Sequence, residues 1–344
     1  MTTLASLFGS GLPLIQAPMA GVQDERLAIA AARAGALGSL PCAMLDRTQL
    51  ETALRTFAAW AQPINLNFFC HPMAEPDPGE AQRWHDALVP YYDEYGIAPP
   101  APSTTGARRP LDAATVDLLE AFRPRIVSFH FGLPDAALLT RIKDWGATVM
   151  SSATTVEEGL WLQRHGVDAV IAQGTEAGGH RGHFLSDDLT LQPGTQPLVA
   201  SLSRVLTVPV IAAGGVGDRR DVQRLLAAGA SAVQAGTAYL LCPEATTSPV
   251  HREALRQPAR EGAVTNLFSG RPARGLVNRL MRDLGPLSEL PPAFPWASQA
   301  LAPLRSAAEA QGRDDFSPLW SGAQPGTLAG LDAAQVTRRL MGVD

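Results

Sequence analysis

The chain has 344 residues, 46% of them hydrophobic, with three cysteines and a formal net charge of −5. That length suits one α/β barrel carrying insertions, while the lack of any run of 18 apolar residues argues against a membrane span and the acidic balance, with no basic cluster, argues against a nucleic-acid partner. Cys42, Cys70 and Cys242 are far apart and in no CxxC spacing, so they read as reduced, buried thiols. Met1 to Phe8 lacks the basic segment and long apolar stretch of a signal peptide, and a cytoplasmic protein is expected.

In chain order, Pro13 to Ala20 reads as a first strand, Asp24 to Ala34 as a helix and Gly35 to Leu40 as a second strand. Asp46 caps a helix running to Trp60, and Pro63 to Phe69 is the third strand, apolar enough for a parallel sheet buried on both faces. The rhythm breaks between Cys70 and Pro110, where a helix from Gly79 to Tyr95 precedes the Pro-rich loop Ile97 to Gly106; this reads as a rim insertion. Regularity returns with helices at Leu111 to Phe122, Pro134 to Trp145 and Thr155 to His165, alternating with strands at Ile126 to Phe131 and Thr148 to Ala153. The sixth strand starts at Ala169. A helix from Gln196 to Leu206, a strand from Pro209 to Gly215, a helix from Asp218 to Ala228 and a strand from Ala232 to Thr237 complete eight strands. The expected fold is an α/β (β/α)8 TIM barrel closed by a helix near Pro249 to Gln257, with an open doubly wound sheet as the alternative. The last 80 or so residues exceed what closure needs and are expected to fold back over a rim as helices.

Polar or glycine residues stand at the C-terminal end of almost every strand: Met19, Asn67, His130, Ser151 and Ser152, Gln173, Gly214 and Gly215, Gly236 and Thr237. Turn chemistry explains any one of them; the set marks the face where barrels hold their sites. Gly214-Gly215-Val216-Gly217 and Gly236-Thr237 match a barrel phosphate cradle built from backbone N–H groups. Asn67, Gln173 and the open backbone from Ala17 through Pro18 to Ala20 suit a large planar heterocycle such as an isoalloxazine ring. Gly9-Ser-Gly11 is a decoy for dinucleotide binding, because it precedes the first strand.

The stretch from Val170 to His183 is a buried strand followed by Gly178, Gly179 and Gly182 around His180, with Glu176, Arg181 and His183 as further ionisable groups. His180, flanked by glycines and so without an evident packing duty, is the candidate base, with an ordinary pKa near 6.5; a loop-stabilising imidazole is the alternative. Arg181 is a candidate for attracting an anionic substrate. His71, His85, His165 and His251 read as solvated or core-rim residues. A metal centre at Glu176, His130, His180 and His183 lacks a helix to fix the pair and a second motif to complete it, so none is expected.

The blocks Gln16-Ala-Pro-Met-Ala-Gly21, Asn65-Leu-Asn67, Gln173 to Gly182, Ala213-Gly-Gly-Val216, Val233-Gln-Ala-Gly-Thr237 and Pro318-Leu-Trp-Ser-Gly322 resemble class I nitronate monooxygenases, formerly 2-nitropropane dioxygenases, from about residue 12 to 323. The resemblance implies an FMN enzyme that oxidises alkyl nitronates, and in some cases neutral nitroalkanes, with dioxygen to a carbonyl compound and nitrite. It makes His180 the catalytic residue. It matches Met19, Asn67, Gln173, Gly178, Gly215, Gln234, Ala235, Gly236 and Thr237, with Trp320 and Ser321 of the C-terminal block, to FMN contacts, and Ala17, Pro18, Gly179 and Gly214 join them as cofactor-binding candidates from the reading of the residues above. The chain departs from the family's pattern at Ala323-Gln324, where the family has Gln directly after the Gly.

Residues 1–243 are then expected to form the FMN-binding barrel with the insertion at about 70–110, and residues 244–344 the last barrel helix and an extension closing over the site. Partners are a small nitronate or nitroalkane and dioxygen, with a homodimer compatible with this reading. Other readings stay open: an FMN-dependent NAD(P)H:quinone or enoyl reductase, a cofactor-free phosphate-ligand isomerase or lyase, and a flavin-storage protein.

Overall fold

The apolar runs become parallel strands in a computed structural model that describes residues 8–60, 62–73, 75, 77–100, 108–257, 259–324 and 328–343. The N-terminal segment up to residue 7 and positions 101–106 of the expected Pro-rich loop lie outside them. β1 (Leu14–Gln16), β2 (Gly38–Pro41), β3 (Ile64–Phe69), β4 (Ile126–His130), β5 (Thr148–Ala153), β6 (Ala169–Gln173), β8 (Val210–Ala213) and β9 (Ala232–Ala235) pair in the order β1-β9-β8-β6-β5-β4-β3-β2. A parallel bridge between Ile15 and Leu37 joins the two ends of that order, so the sheet curls into a TIM-barrel-like ring. Its interior is plugged by Ile15, Ile126, Met150, Ile171 and Ile211 together with Phe8. Polar side chains on β2, β3 and β4 bond across neighbouring strands: Asn65 Nδ2 donates to Ser39 Oγ at 3.0 Å and Asn67 Nδ2 to Ser128 Oγ at 2.9 Å.

Several helices start where the sequence supplies caps. Asp24 caps α1 (Glu25–Arg33), Asp46 closes a capping box on α2 (Arg47–Ala58), and Asp77 caps the insertion helix α3 (Pro78–Tyr95). The barrel then continues through α4 (Ala113–Phe122), α5 (Ala136–Asp144), α6 (Val156–Arg164), α7 (Thr195–Val205) and α8 (Arg219–Ala227).

Closure of the helical ring departs from expectation. α9 (Pro249–Leu255) begins as predicted, yet the helix that packs between α8 and α1 is the C-terminal one, α12 (Ala333–Met341). Its Thr337 Oγ1 lies 2.9 Å from the buried Tyr239 hydroxyl, and its Val336 and Leu340 are fully buried in the barrel's outer core. Chain order misled here, because the eighth helical position is filled by a segment nearly a hundred residues after β9.

The extension also contains strands where helices alone were expected. β10 (Gly262–Thr265) and β11 (Ala273–Leu276) form an antiparallel sheet with β7 (Gly179–His180), the two-residue strand inside the glycine loop. α10 (Arg279–Leu284) and α11 (Ala297–Ala310) then cover the insertion helix. Trp84, Leu88, Tyr92, Leu280, Leu301, Leu304 and Phe316 make this a second apolar core, with Trp84 Nε1 donating to the Ala297 carbonyl at 3.0 Å. Insertion and extension therefore support one another beside the barrel mouth and hold the far side of the site.

Candidate active site

A cleft opens at the C-terminal ends of the strands, where the barrel face was expected to carry chemistry. One wall is glycine. Beyond β8 the chain turns through Gly214 (φ 123°) and Gly215 (φ 66°), left-handed conformations that favour glycine. A Cβ on Gly214 would lie 2.7 Å from Thr195 Oγ1 and 2.8 Å from Ala177 N, so the turn is closely backed. The N–H groups of Gly215 and Val216 make no hydrogen bond among the described residues. Beside them, Gly236 leads into the 3₁₀ turn Thr237–Tyr239. Deeper in the cleft, the side-chain carbonyl Oε1 of Gln234 is buried and unpartnered, which a ligand N–H group would relieve.

The C-terminal segment ties this wall together. Gly322 N donates to Thr237 Oγ1 at 2.8 Å and Ala323 N to the Glu176 carbonyl at 2.9 Å. Gly178 must be small, because a Cβ there would come within 2.5 Å of Gly322 N. At Gly179, by contrast, a Cβ would meet nothing within 4 Å. That gap leaves room for a flat molecule between the loop and the strand ends.

The opposite wall is imidazole and aromatic. β7 pairs His180 with Ala273, and its ring sits among Phe294 and Trp320 (both 5.5 Å between centroids), Phe131 (6.0 Å) and Phe69 (6.3 Å). Phe131 takes φ 69°, a left-handed conformation costing a non-glycine residue about 1–3 kcal/mol. His180 Nε2 lies 2.9 Å from Ser269 Oγ. Its main-chain carbonyl accepts from Gln173 Nε2 at 2.9 Å and lies 3.2 Å from His130 Nε2, whose Nδ1 is 3.0 Å from Ser152 Oγ.

Burial, then the nearby Arg108, His130, Arg271 and His71, hold His180 well below the ordinary imidazole range. Burial, reinforced by neighbouring arginines, also pushes His130 down to about 3 and His71 to about 4. These rings are therefore neutral near pH 7, and the expectation of an unperturbed His180 is corrected. The positive charge at this wall comes from Arg108, which lines the cleft, and from Arg271, whose guanidinium lies over Phe131 at 4.3 Å and donates to the His183 carbonyl.

The structure brings together His180, Ala17, Pro18, Met19, Asn67, Gln173, Gly178, Gly179, Gly214, Gly215, Gln234, Ala235, Gly236, Thr237 and Trp320 around this one cleft. Ser321 is the exception. It is fully buried behind the wall, its carbonyl accepting from Arg274 Nη1, and Gly322 and Gln324 face the cleft instead. Gln173 lines the cleft but spends its amide on the loop, donating to the His180 carbonyl while its Oε1 accepts from Gly182 N at 2.8 Å.

Arg181 does not face the cleft. Next to His180 on extended backbone it points the opposite way, buried, and donates to Gln192 Oε1, Gly174 O and Gln173 O at 2.8, 2.7 and 3.0 Å. Sequence reading missed Phe69, Arg108, Ser269, Arg271 and Phe294. Of the histidines read as solvated or core-rim, His71 and His251 are buried, the latter with Nε2 3.1 Å from the Trp320 carbonyl.

Fold and cleft together define a small-molecule enzyme on a TIM-barrel-like frame, with its site at the strand C-terminal ends. The family model described as nitronate monooxygenase matches residues 2–336. A nitronate monooxygenase from Pseudomonas aeruginosa is 39% identical over 339 residues, covering 97% of each chain. One from Paraburkholderia phytofirmans is 38% identical over 98% of this chain and 93% of its own. A nitroalkane oxidase from Streptomyces ansochromogenes superposes with a TM-score of 0.88 at 34% identity, covering 98% of this chain and 96% of that one. FabK from Thermotoga maritima, at TM-score 0.70 and 22% identity over 99% of this chain and 95% of its own, shares the fold. The chain belongs to the nitronate monooxygenase family and is an oxidoreductase of the oxygenase kind.

Proposed function

We propose that the protein binds one FMN in this cleft and uses it to oxidise alkyl nitronates with dioxygen, releasing a carbonyl compound and nitrite. The observation that carries the reading is the cleft's division into two unlike walls: a glycine wall with free main-chain N–H groups and a buried unpartnered Gln234 oxygen, facing a neutral imidazole in an aromatic setting. The glycine wall fits the cofactor. Gly215, Val216 and Gly236-Thr237 would hold the phosphate, while Gln234 and Asn67 would orient the ring. When bound, FMN supplies the electron transfer to dioxygen, one electron at a time.

The protein's own residues do the rest. Arg108 and Arg271 supply positive potential for an anionic nitronate in a partly dry site, where charge counts for more than in water. Phe69, Phe294 and Trp320 limit water access. For a neutral nitroalkane, His180 takes the proton from carbon; its depressed pKa keeps it unprotonated and ready to accept. A nitronate arrives already deprotonated and does not need that step.

Heat-released cofactor chromatographed against standards, followed by dioxygen uptake and nitrite release on a nitronate panel, tests this reading. FMN, nitrite and negligible NADH oxidation are expected. Anaerobic bleaching of the flavin by NADH as fast as by nitronate would move the protein to the reductase reading, and mostly FAD would remove the phosphate assignment.

A further inference from the structure

An imidazole that acts as a base must present a lone pair to the substrate, and His180 has two nitrogens that could do so. The following rests on the role given to His180 above. Ser269 Oγ, buried, lies 2.9 Å from His180 Nε2, 3.2 Å from the Arg271 carbonyl oxygen and 3.4 Å from Arg271 N. A serine hydroxyl has one proton to give and two lone pairs to offer. The carbonyl can only accept and the main-chain N–H can only donate. All three contacts are satisfied at once in one arrangement: the hydroxyl donates to Arg271 O and accepts from Arg271 N–H and from a protonated His180 Nε2. The other tautomer would turn the serine proton toward the imidazole and leave hydroxyl and carbonyl lone pairs facing each other at 3.2 Å.

Two further features agree. Nδ1 has no hydrogen bond among the described residues and is not one of the fully buried unpartnered atoms, so it keeps accessible surface on a residue that lines the cleft. The turn carrying Ser269 is also fixed in place, because Gly270 sits at φ 83° with its Cα so close to the 292–294 segment that a Cβ would come within 2.1 Å of Pro292 O. We propose that Ser269 is a positioning residue that holds His180 as the Nε2–H tautomer and thereby presents Nδ1 to the substrate as the proton acceptor. Burial of the ring supports this by keeping it in the neutral form, in which tautomers are distinct.

The direct test is long-range ¹H–¹⁵N correlation NMR of the holoenzyme labelled with [¹⁵N]histidine, His180 being assigned by its loss in His180→Asn. The wild type should show a protonated Nε2 and an unprotonated Nδ1. Ser269→Ala should show a tautomer mixture, and Ser269→Thr, which keeps the hydroxyl, should restore the wild-type pattern. A wild-type Nδ1–H tautomer, or a pattern unchanged in Ser269→Ala, overturns the proposal, and the wild-type spectrum decides even where a variant folds poorly. Kinetically, Ser269→Ala should lose roughly tenfold in kcat/KM on a neutral nitroalkane and less than about twofold on its nitronate, with flavin content unchanged. An equal loss on both substrates would make Ser269 merely structural. A fully active His180→Asn variant with the expected wild-type spectrum would instead overturn the role of His180 and leave the tautomer assignment standing.

Discussion

The two walls of the cleft are built by opposite strategies. The glycine wall comes from contiguous strand ends, where Gly214 and Gly215 and then Gly236 and Thr237 present main-chain groups from neighbouring strands β8 and β9. The histidine wall is assembled from β3, β4, β7 and the loops around Ser269, Phe294 and Trp320, segments drawn from almost the whole length of the chain. A wall made of main chain depends on the absence of side chains, and one made of side chains depends on their distant supports. The first should therefore fail by obstruction and the second by loss of support or by protonation.

Obstruction has the largest expected effect on cofactor binding. Gly215→Asp places a carboxylate at a left-handed position in the proposed phosphate cradle, and flavin affinity should fall by roughly tenfold or more through like-charge repulsion and backbone strain. Flavin absorbance per chain after purification reads this out; full occupancy would mean that the cradle holds no anion.

Acid should come next, and it acts on the histidine side. His71, His183 and His251 are held at about 4 and His130 at about 3, all chiefly by burial. Unfolded, each would titrate near the ordinary imidazole value of about 6.5. Above that value none contributes. As pH falls below 6.5 the unfolded chain takes up protons that the native rings refuse, so stability drops by at most about 1.4 kcal/mol per pH unit for each such histidine, until the native values are reached. Denaturant midpoints should be flat from pH 8 to 7 and decline steeply between pH 6 and 4; a flat profile there would contradict the buried, neutral assignment.

A smaller effect, confined to one loop, should follow from Arg181→Met. Three acceptors lose a buried charged donor, and about 3 kcal/mol of stability should go with it. Where the variant folds, kcat/KM on nitronates should change little, since the guanidinium faces away from the cleft. A selective rise in KM for the anion would show that Arg181 reaches the substrate after all. The smallest effect is expected of His183→Asn, whose ring is buried with its Nε2 3.4 Å from the exposed Asp187: less than about threefold on nitroalkane and nitronate alike in steady-state assays.

The same contrast explains what could be read from the residues alone. The glycine wall is local, so its residues stand together in the sequence and their chemistry is visible as turns after apolar strands; all of them lie on the cleft. His180 was legible for the same reason, set between glycines. Its neighbour Arg181 is only a candidate for the substrate on its charge, and extended backbone turns alternate side chains to opposite faces. Ser269, Phe294 and the β10–β11 pair carried no local signal, since nothing in the four-residue runs Gly262–Thr265 and Ala273–Leu276 tells which loop they will pair with. Ser321 was placed on the cofactor from its motif, but in an antiparallel segment bridged to β11 its side chain turns inward and the smaller Gly322 is left at the surface of the cleft. The eighth helix of the ring was missed because its selection depends on the groove between α8 and α1 and not on chain order.

The central claim is that His180 serves as a base on the wall opposite the glycine cradle. Its most direct test is the ratio of kcat/KM on a neutral nitroalkane to that on the matched nitronate, measured for the wild type and for His180→Asn with flavin content equalised. The account predicts that the variant keeps its flavin and that this ratio falls by roughly 100-fold, the usual scale for losing a general base. An unchanged ratio, with both substrates losing equally, would contradict it and leave His180 acting only on the bound anion.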